Sequence, residues 1–327
     1  MLLRAYPTGS ASQQAYFGQP SRGSREAASR GVRVAATPDP KARSQFEVAT
    51  LLAARRAEHS RTQNPIFVDN FAQRLASNVE AAPSQLPWDT VATRFLDDQL
   101  SQGIDIVNME LEEDYRQVVL LGCGMDTRPY RLMWPAGTVL YEVAPAEVHA
   151  AAVAALQAAS AKVQRGCLHI RVSADLEAGD SLGEKLARAG FSGNRLSIWG
   201  LQGLTEMQLS PQLLRQLLAD VADNAAFGSM VMGELPGLPL QMAEDLLAEA
   251  GMLGRVLPFG QEETSFGIWP EQPIPASQAD ATDGAAPAHR LLFTAQHQRL
   301  SLQQMNMFSD HVQAAEETDE DFFGNFS

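Results

Sequence analysis

No stretch of about eighteen uninterrupted apolar residues occurs in the 327-residue chain, so no membrane-spanning helix is expected. Cysteine is scarce: Cys123 and Cys167 have neither the spacing of a disulfide framework nor that of metal ligands, which points to a reducing compartment. Basic side chains are outnumbered, 25 Lys and Arg against 39 Asp and Glu, for a formal net charge of −14. Such a chain has no basic stripe with which to displace phosphate counterions, and a nucleic-acid partner is set aside. The six histidines show no metal-ligand spacing, and no Gly-x-Ser-x-Gly elbow is present, so metal-dependent and Ser-His-Asp hydrolysis lack support. What remains is a globular chain, 45% apolar, acting on a small molecule or a protein.

The chain is organised around Gln117 to Leu132. Val118 to Leu121 are four consecutive apolar residues, too few for a helix and suited to a strand buried on both faces. Gly122 and Gly124 break that strand. Glycines at the carboxyl edge of a sheet remove Cβ atoms where backbone must come close to a nucleotide-like ligand. A dinucleotide fingerprint would need a third glycine where Thr127 stands, which disfavours NAD. Strand and helix signals then alternate. Strands are expected at Thr138–Val143, Leu168–Ser173, Leu196–Leu201 and Gly228–Glu234, and helices at Ala146–Ser160, Ser181–Ala189, Ser210–Asp223 and Pro239–Ala250. Arg290–Gln298 reads as a last, antiparallel strand, and Leu300–Val312 as a final helix or turn. Ahead of the first strand, helices are expected from Phe46 to Ser60, from Pro65 through Leu75, and from a Thr90 cap to Ser101.

The continuation Met125-Asp126-Thr127-Arg128-Pro129-Tyr130-Arg131-Leu132 resembles the leucine carboxyl methyltransferase family and its bacterial and plant-type relatives. Further matches fall in the right order: Arg56-Ala57-x-x-Ser60 with Pro65-x-Phe67-x-Asp69, then Ala92-Thr93-Arg94-Phe95-Leu96-Asp97-Asp98, and Leu257-Pro258-Phe259-Gly260. The resemblance runs from about Phe46 to Glu263. It implies a class I methyltransferase, an α/β fold with a Rossmann-like, mostly parallel sheet, helices on both faces and an N-terminal helical lid. It also implies S-adenosylmethionine as cofactor and an oxygen nucleophile, most simply a carboxylate on a small molecule or a protein C-terminus. Carried over residue by residue, Gly122, Cys123, Gly124 and Asp126 form the cofactor corner, and Arg94 or Arg56 meets the cofactor carboxylate. Asp175 accepts from the adenine amine, and Leu176 flanks the ring.

Two positions depart from the family. Where it reads Glu-Val-Asp this chain reads Glu142-Val143-Ala144, so Glu142, two residues back on the same strand face, is the candidate for the ribose hydroxyls. Where it reads Glu-Gly-Leu facing the transferable methyl, this chain reads Gln202-Gly203-Leu204. Gln202 keeps hydrogen bonding but cannot act as a base. A catalytically inactive binding module of the same fold is therefore the alternative to an enzyme. Residues 1–45 are basic, serine-rich and poor in acids, as in an organelle transit peptide, with chloroplast preferred over mitochondrion or cytoplasm. Residues 46–312 form the expected methyltransferase-like domain, with a loop insertion at about 271–288, and 313–327 form an acidic tail.

Overall fold

A computed structural model describes residues 44–77, 79, 87–110, 116–122, 124–270 and 290–298, with the side chains of 105–110 left out. The basic N-terminal segment up to residue 43, Cys123, the 271–288 insertion, the 300–312 element and the acidic tail lie outside the described residues.

Seven strands form one sheet: β1 (Arg116–Gly122), β2 (Thr138–Ala144), β3 (Leu168–Ser173), β4 (Ser197–Gln202), β5 (Met230–Leu235), β6 (Met252–Pro258) and β7 (Leu291–His297). Their spatial order is β3-β2-β1-β4-β5-β7-β6, parallel from β3 to β5, with β7 antiparallel to both of its neighbours. This is the expected class I methyltransferase fold, a Rossmann-like sheet whose strand order reverses at β1. The crevice that ligands use in open α/β sheets lies at such a reversal, outside the carboxyl ends of β1 and β4.

Helices cover both faces. The odd side chains of β1, Val119 and Leu121, pack in a core built with α5 (Ala146–Ala158), α6 (Leu182–Arg188), α7 (Pro211–Asn224) and α8 (Leu240–Glu249). The even ones, Val118 and Leu120, face α3 (Trp88–Glu110), near the short helices α4 (Arg128–Arg131) and α9 (Glu262–Ser265). A strand buried on both faces must be apolar at every position, and the four-residue run in β1 is that pattern. The remaining helices, α1 (Gln45–His59) and the single turn α2 (Ala72–Leu75), precede the sheet in the chain.

Helix starts follow their caps. Ser44 begins α1 with a reciprocal capping box: its Oγ accepts from Glu47 N at 3.2 Å, and Glu47 Oε2 accepts from Ser44 N at 2.8 Å. Ser210 accepts from Leu213 N at 3.2 Å and Pro211 opens α7, as expected. Thr90, expected as a cap, lies inside α3; the helix starts two residues earlier, and Val91 N donates to the Pro87 carbonyl at 2.9 Å.

The strand β6 was not anticipated. It is an edge strand whose Leu253 side chain is solvent-facing and whose neighbours Gly254 and Arg255 are exposed, so alternation is lost. A Cβ at Gly254 would sit 2.0 Å from the Thr294 carbonyl oxygen, so glycine there lets β6 lie close against β7.

Candidate active site

At the end of β1 the backbone leaves the sheet with Gly122 at φ +149°, then Gly124 at +85° and Met125 at +55°. Both glycines are required, and by protein rather than by ligand. A Cβ on Gly122 would lie 1.8 Å from the Gln202 carbonyl oxygen; one on Gly124 would lie 2.6 Å from the Ala144 Cβ and 2.8 Å from Val148 Cγ1. The corner is thus packed between the ends of β4 and β2 and the start of α5.

Around it lies a small cavity lined by Leu120, Leu121, Gly122, Gly124, Asp126, Glu142 and Gln202, with Leu52 and Arg56 of α1 completing the lining. Six of the sequence-predicted positions therefore come together: Arg56, Gly122, Gly124, Asp126, Glu142 and Gln202. Leu176 is buried in the neighbouring core, and Asp175 sits in a turn after β3, where its Oδ1 accepts from Glu177 N, Ala178 N and Gln45 Nε2 at 3.0, 3.1 and 3.2 Å.

Arg94 does not join them. It is 39% exposed, donates from Nε to Asp98 at 2.9 Å and from Nη1 to the Ile66 carbonyl at 2.8 Å, and so ties α3 to the segment before α2. Besides Arg56, a buried guanidinium beside the cavity belongs to Arg128, which sequence reading passed over. Its Nε donates to Asp97 at 2.7 Å, Nη1 to Asp126 at 2.6 Å and Nη2 to Gln202 Oε1 at 2.6 Å. Arg131 also donates to Asp97, and Arg56 donates to Asp69 at 3.0 Å and to the Met125 carbonyl at 2.8 Å. Thr127 links the two halves through Asp69 at 2.6 Å. Three guanidinium groups face three carboxylates, and Gln202 is the neutral member. Burial alone would raise the Asp126 pKa, but Arg128 outweighs it and holds the carboxyl below its usual range. The signal for Arg128 was available: an arginine two residues after an aspartate at the exit of a buried strand must find carboxylates or stay in water.

Glu142 is equally committed. Its Oε1 accepts from Asp126 N at 2.9 Å, and Oε2 lies 3.0 Å from His169 Nε2, off the hydrogen-bonding axis and without another donor. Burial pushes its pKa up, and His169, His149 and the Asp126 amide together bring it below the ordinary value. Tyr130 completes this cluster, 3.1 Å from His169 Nδ1 and accepting from Arg171 Nη2 at 2.6 Å.

A second buried network lies beside the end of β5. Arg290 donates to Asp89 at 2.7 Å and Glu234 at 2.9 Å, Arg55 donates to Asp89 and, at 2.9 Å, to Glu206, and Glu234 accepts from Gly203 N at 2.6 Å. Burial pushes the Glu234 carboxyl up, partly countered by Arg290. Asp89, equally buried, is held down by Arg290 and Arg55.

The model of the leucine carboxyl methyltransferase family matches residues 49–222. The chain belongs to the leucine carboxyl methyltransferase family. It is therefore a methyltransferase by descent, of a family that uses S-adenosylmethionine. "O-methyltransferase 1, chloroplastic" of Oryza sativa subsp. japonica is 35% identical over 291 residues, 84% of this chain and 77% of the relative. A Mycobacterium ulcerans protein named for S-adenosyl-L-methionine-dependent methyl transfer is 30% identical over 200 residues, 57% of this chain and 64% of its own length. Among solved structures, a CurJ carbon methyltransferase aligns at 13% identity and a TM-score of 0.40, over 78% of this chain and 68% of that one.

The family's cofactor does not fit the site as arranged here. The cavity measures about 20 Å³, the room of a single water, whereas pockets for ligands of this class run to about 300 Å³ and more. Ala144 supplies no acceptor for ribose hydroxyls, and the space left by the missing Cβ of Gly124 is filled by Ala144 and Val148.

Proposed function

We propose that the chain methylates a carboxylate oxygen, on a small molecule or on a protein C-terminus, with S-adenosylmethionine as methyl donor. The observation that carries the acceptor class is the state of the acids at the sheet edge. Asp97 and Asp126 are bonded to Arg128, Asp89 and Glu206 to Arg55, and Glu234 to Arg290, while position 202 is an amide. None of these is a free base. A hydroxyl acceptor would need one; a carboxylate arrives already anionic and needs only to be positioned and dried. Gly122, Gly124, Asp126, Glu142, Asp175 and Leu176 are the cofactor positions on this reading, with Cys123 between the glycines, Arg56 above them and Gln202 toward the acceptor.

The test is transfer of labelled methyl from S-adenosylmethionine to carboxylate-bearing small molecules and peptides. A methyl ester loses its label as methanol in mild alkali, so an alkali-stable product would remove the carboxylate assignment. A second reading, a binding module without turnover, is favoured by the 20 Å³ cavity and by Ala144. Calorimetric titration with S-adenosylhomocysteine separates the two, micromolar binding supporting the enzyme. The plastid address rests on the basic N-terminal segment and on the chloroplastic relative. A fluorescent fusion of the first fifty or so residues should enter chloroplasts, and a diffuse cytosolic signal would refute the address.

A further inference from the structure

The small size of the cavity has an identifiable cause. Its lining comes from three central strands and the turn after β1, with two exceptions, Leu52 and Arg56, and both belong to α1. The strands cannot make room, since β1 is paired along its length with β2 on one side and β4 on the other. Only α1 can yield.

The polar contacts of α1 have a pattern of their own. At its first turn the Gln45 carboxamide donates to Asp175 Oδ1 at 3.2 Å, and three turns later the Arg56 guanidinium donates to the Met125 carbonyl at 2.8 Å. Asp175 is the acceptor assigned above to an adenine amine. The Met125 carbonyl, at the glycine corner, is an acceptor fit for an ammonium. The two donors of α1 thus occupy the two acceptors that the nucleoside and amino-acid ends of the cofactor would use, and Leu52, between Gln45 and Arg56 along α1, lines the cavity. Gln45 is 7% exposed and its Oε1 finds no donor, as for a side chain held for its N–H groups alone.

We infer that α1 is a resident competitor of the methyl donor: Gln45 and Arg56 latch it onto the cofactor's own acceptors, and S-adenosylmethionine and α1 exclude one another. This rests on the reading above that S-adenosylmethionine is the donor. It assigns Arg56 the opposite sign from a carboxylate ligand, because removing a latch favours the open form and tightens binding by the factor by which the open population rises.

The test is calorimetric titration of the full-length protein with S-adenosylhomocysteine, with hydrogen exchange read along residues 45–59. Gln45→Ala should tighten binding about tenfold or more, the weight of one hydrogen bond to a carboxylate. Arg56→Gln should tighten it as well, and saturating ligand should raise exchange in α1 of the wild-type protein. Weaker or unchanged affinity in Gln45→Ala overturns the inference, as does loss of affinity in Arg56→Gln or protection of α1 on binding; methyl transfer by the wild type would then still uphold the proposed function. The exchange measurement on the wild type decides the matter should either variant fail to fold. No binding by any form removes the donor reading and this inference with it.

Discussion

Gln202 carries the conflict between ancestry and environment most sharply at the residue scale. Against the family pattern it is a lost acid, yet its surroundings are built for an amide. Oε1 accepts from Arg128 at 2.6 Å and Nε2 donates to Thr93 Oγ1 at 2.8 Å, while the Thr93 hydroxyl spends its own proton on the Asp89 carbonyl at 2.7 Å. A carboxylate at 202 would keep the Arg128 bond but set an acceptor oxygen against the Thr93 hydroxyl lone pair, where no donor is available. It would also add a fourth carboxylate to a set of three arginines and three acids. Gln202→Glu is therefore expected to destabilise by about 1–3 kcal/mol at pH 7. The sign of its pH dependence follows from the new group: its folded pKa lies above its unfolded value, so the penalty present at neutral pH fades as pH falls through that folded pKa, where the protonated acid can donate to Thr93. Urea unfolding of the variant and the wild type at pH 7 and pH 5 checks this, and equal or greater stability of the variant at pH 7 would refute it.

At the scale of elements, the antiparallel strand β7 is pinned at its entry by one side chain. Arg290, just before the strand, joins α3 through Asp89 and β5 through Glu234, stacks near the Trp88 ring at 5.9 Å, and is 6% exposed. Removing it leaves two buried carboxylates facing each other with Arg55 as the remaining cation, the situation in which a broken buried pair costs about 3–5 kcal/mol. Arg290→Met should lower stability by that amount in chemical denaturation, and a Glu234→Gln change in the same background should recover part of it. If Arg290→Met is neutral, the network has no structural weight.

These elements were unequally legible in the sequence. Parallel strands buried on both faces announce themselves as apolar runs, and the helices behind them by caps such as Ser210-Pro211, so β1, β2, β4, β5 and α5 to α8 were readable, and the edge strand β3 alternates Leu168, Ile170 and Val172 with polar residues. The edge strand β6 was not, because exposed Leu253, Gly254 and Arg255 break its alternation. The glycine corner was legible as a corner, but not as one filled by protein: that Gly124 meets Ala144 and Val148 is a fact of tertiary packing. Arg94 and Arg128 show the same limit. Both lie in motif-like runs, and which of the two turns inward depends on where Asp97 and Asp126 meet, a distance of about thirty residues along the chain.

At the scale of the whole molecule, buried titratable groups set how the fold meets acid, and those whose contribution is lost on acidification fall in two separate ranges. His149 is 5% exposed, contacts the Val172 carbonyl through Nε2 at 3.2 Å, and is held neutral by burial against the pull of Glu142. His59 accepts from Ile66 N through Nε2 at 2.9 Å and is likewise lowered by burial. For both, the unfolded chain takes up a proton near pH 6.5 that the folded chain resists, so the stability they contribute is present above about pH 6.5 and is lost as pH falls below it. The limit for a fully buried group such as His149 is about 1.4 kcal/mol per pH unit, and partly exposed His59 adds less. Asp89, Asp126 and Glu142 form the second range. Their folded pKa values lie below the ordinary carboxylate range, so their contribution is intact above about pH 4.5 and disappears on further acidification. Unfolding free energy should accordingly decline in two steps, one starting near pH 6.5 and a steeper one below about pH 4.5. In the double variant His59→Gln, His149→Gln the upper step should vanish and the lower one stay. A wild-type profile flat from pH 7 to pH 5, measured by urea unfolding in constant ionic strength, would show that neither histidine is kept neutral by the fold.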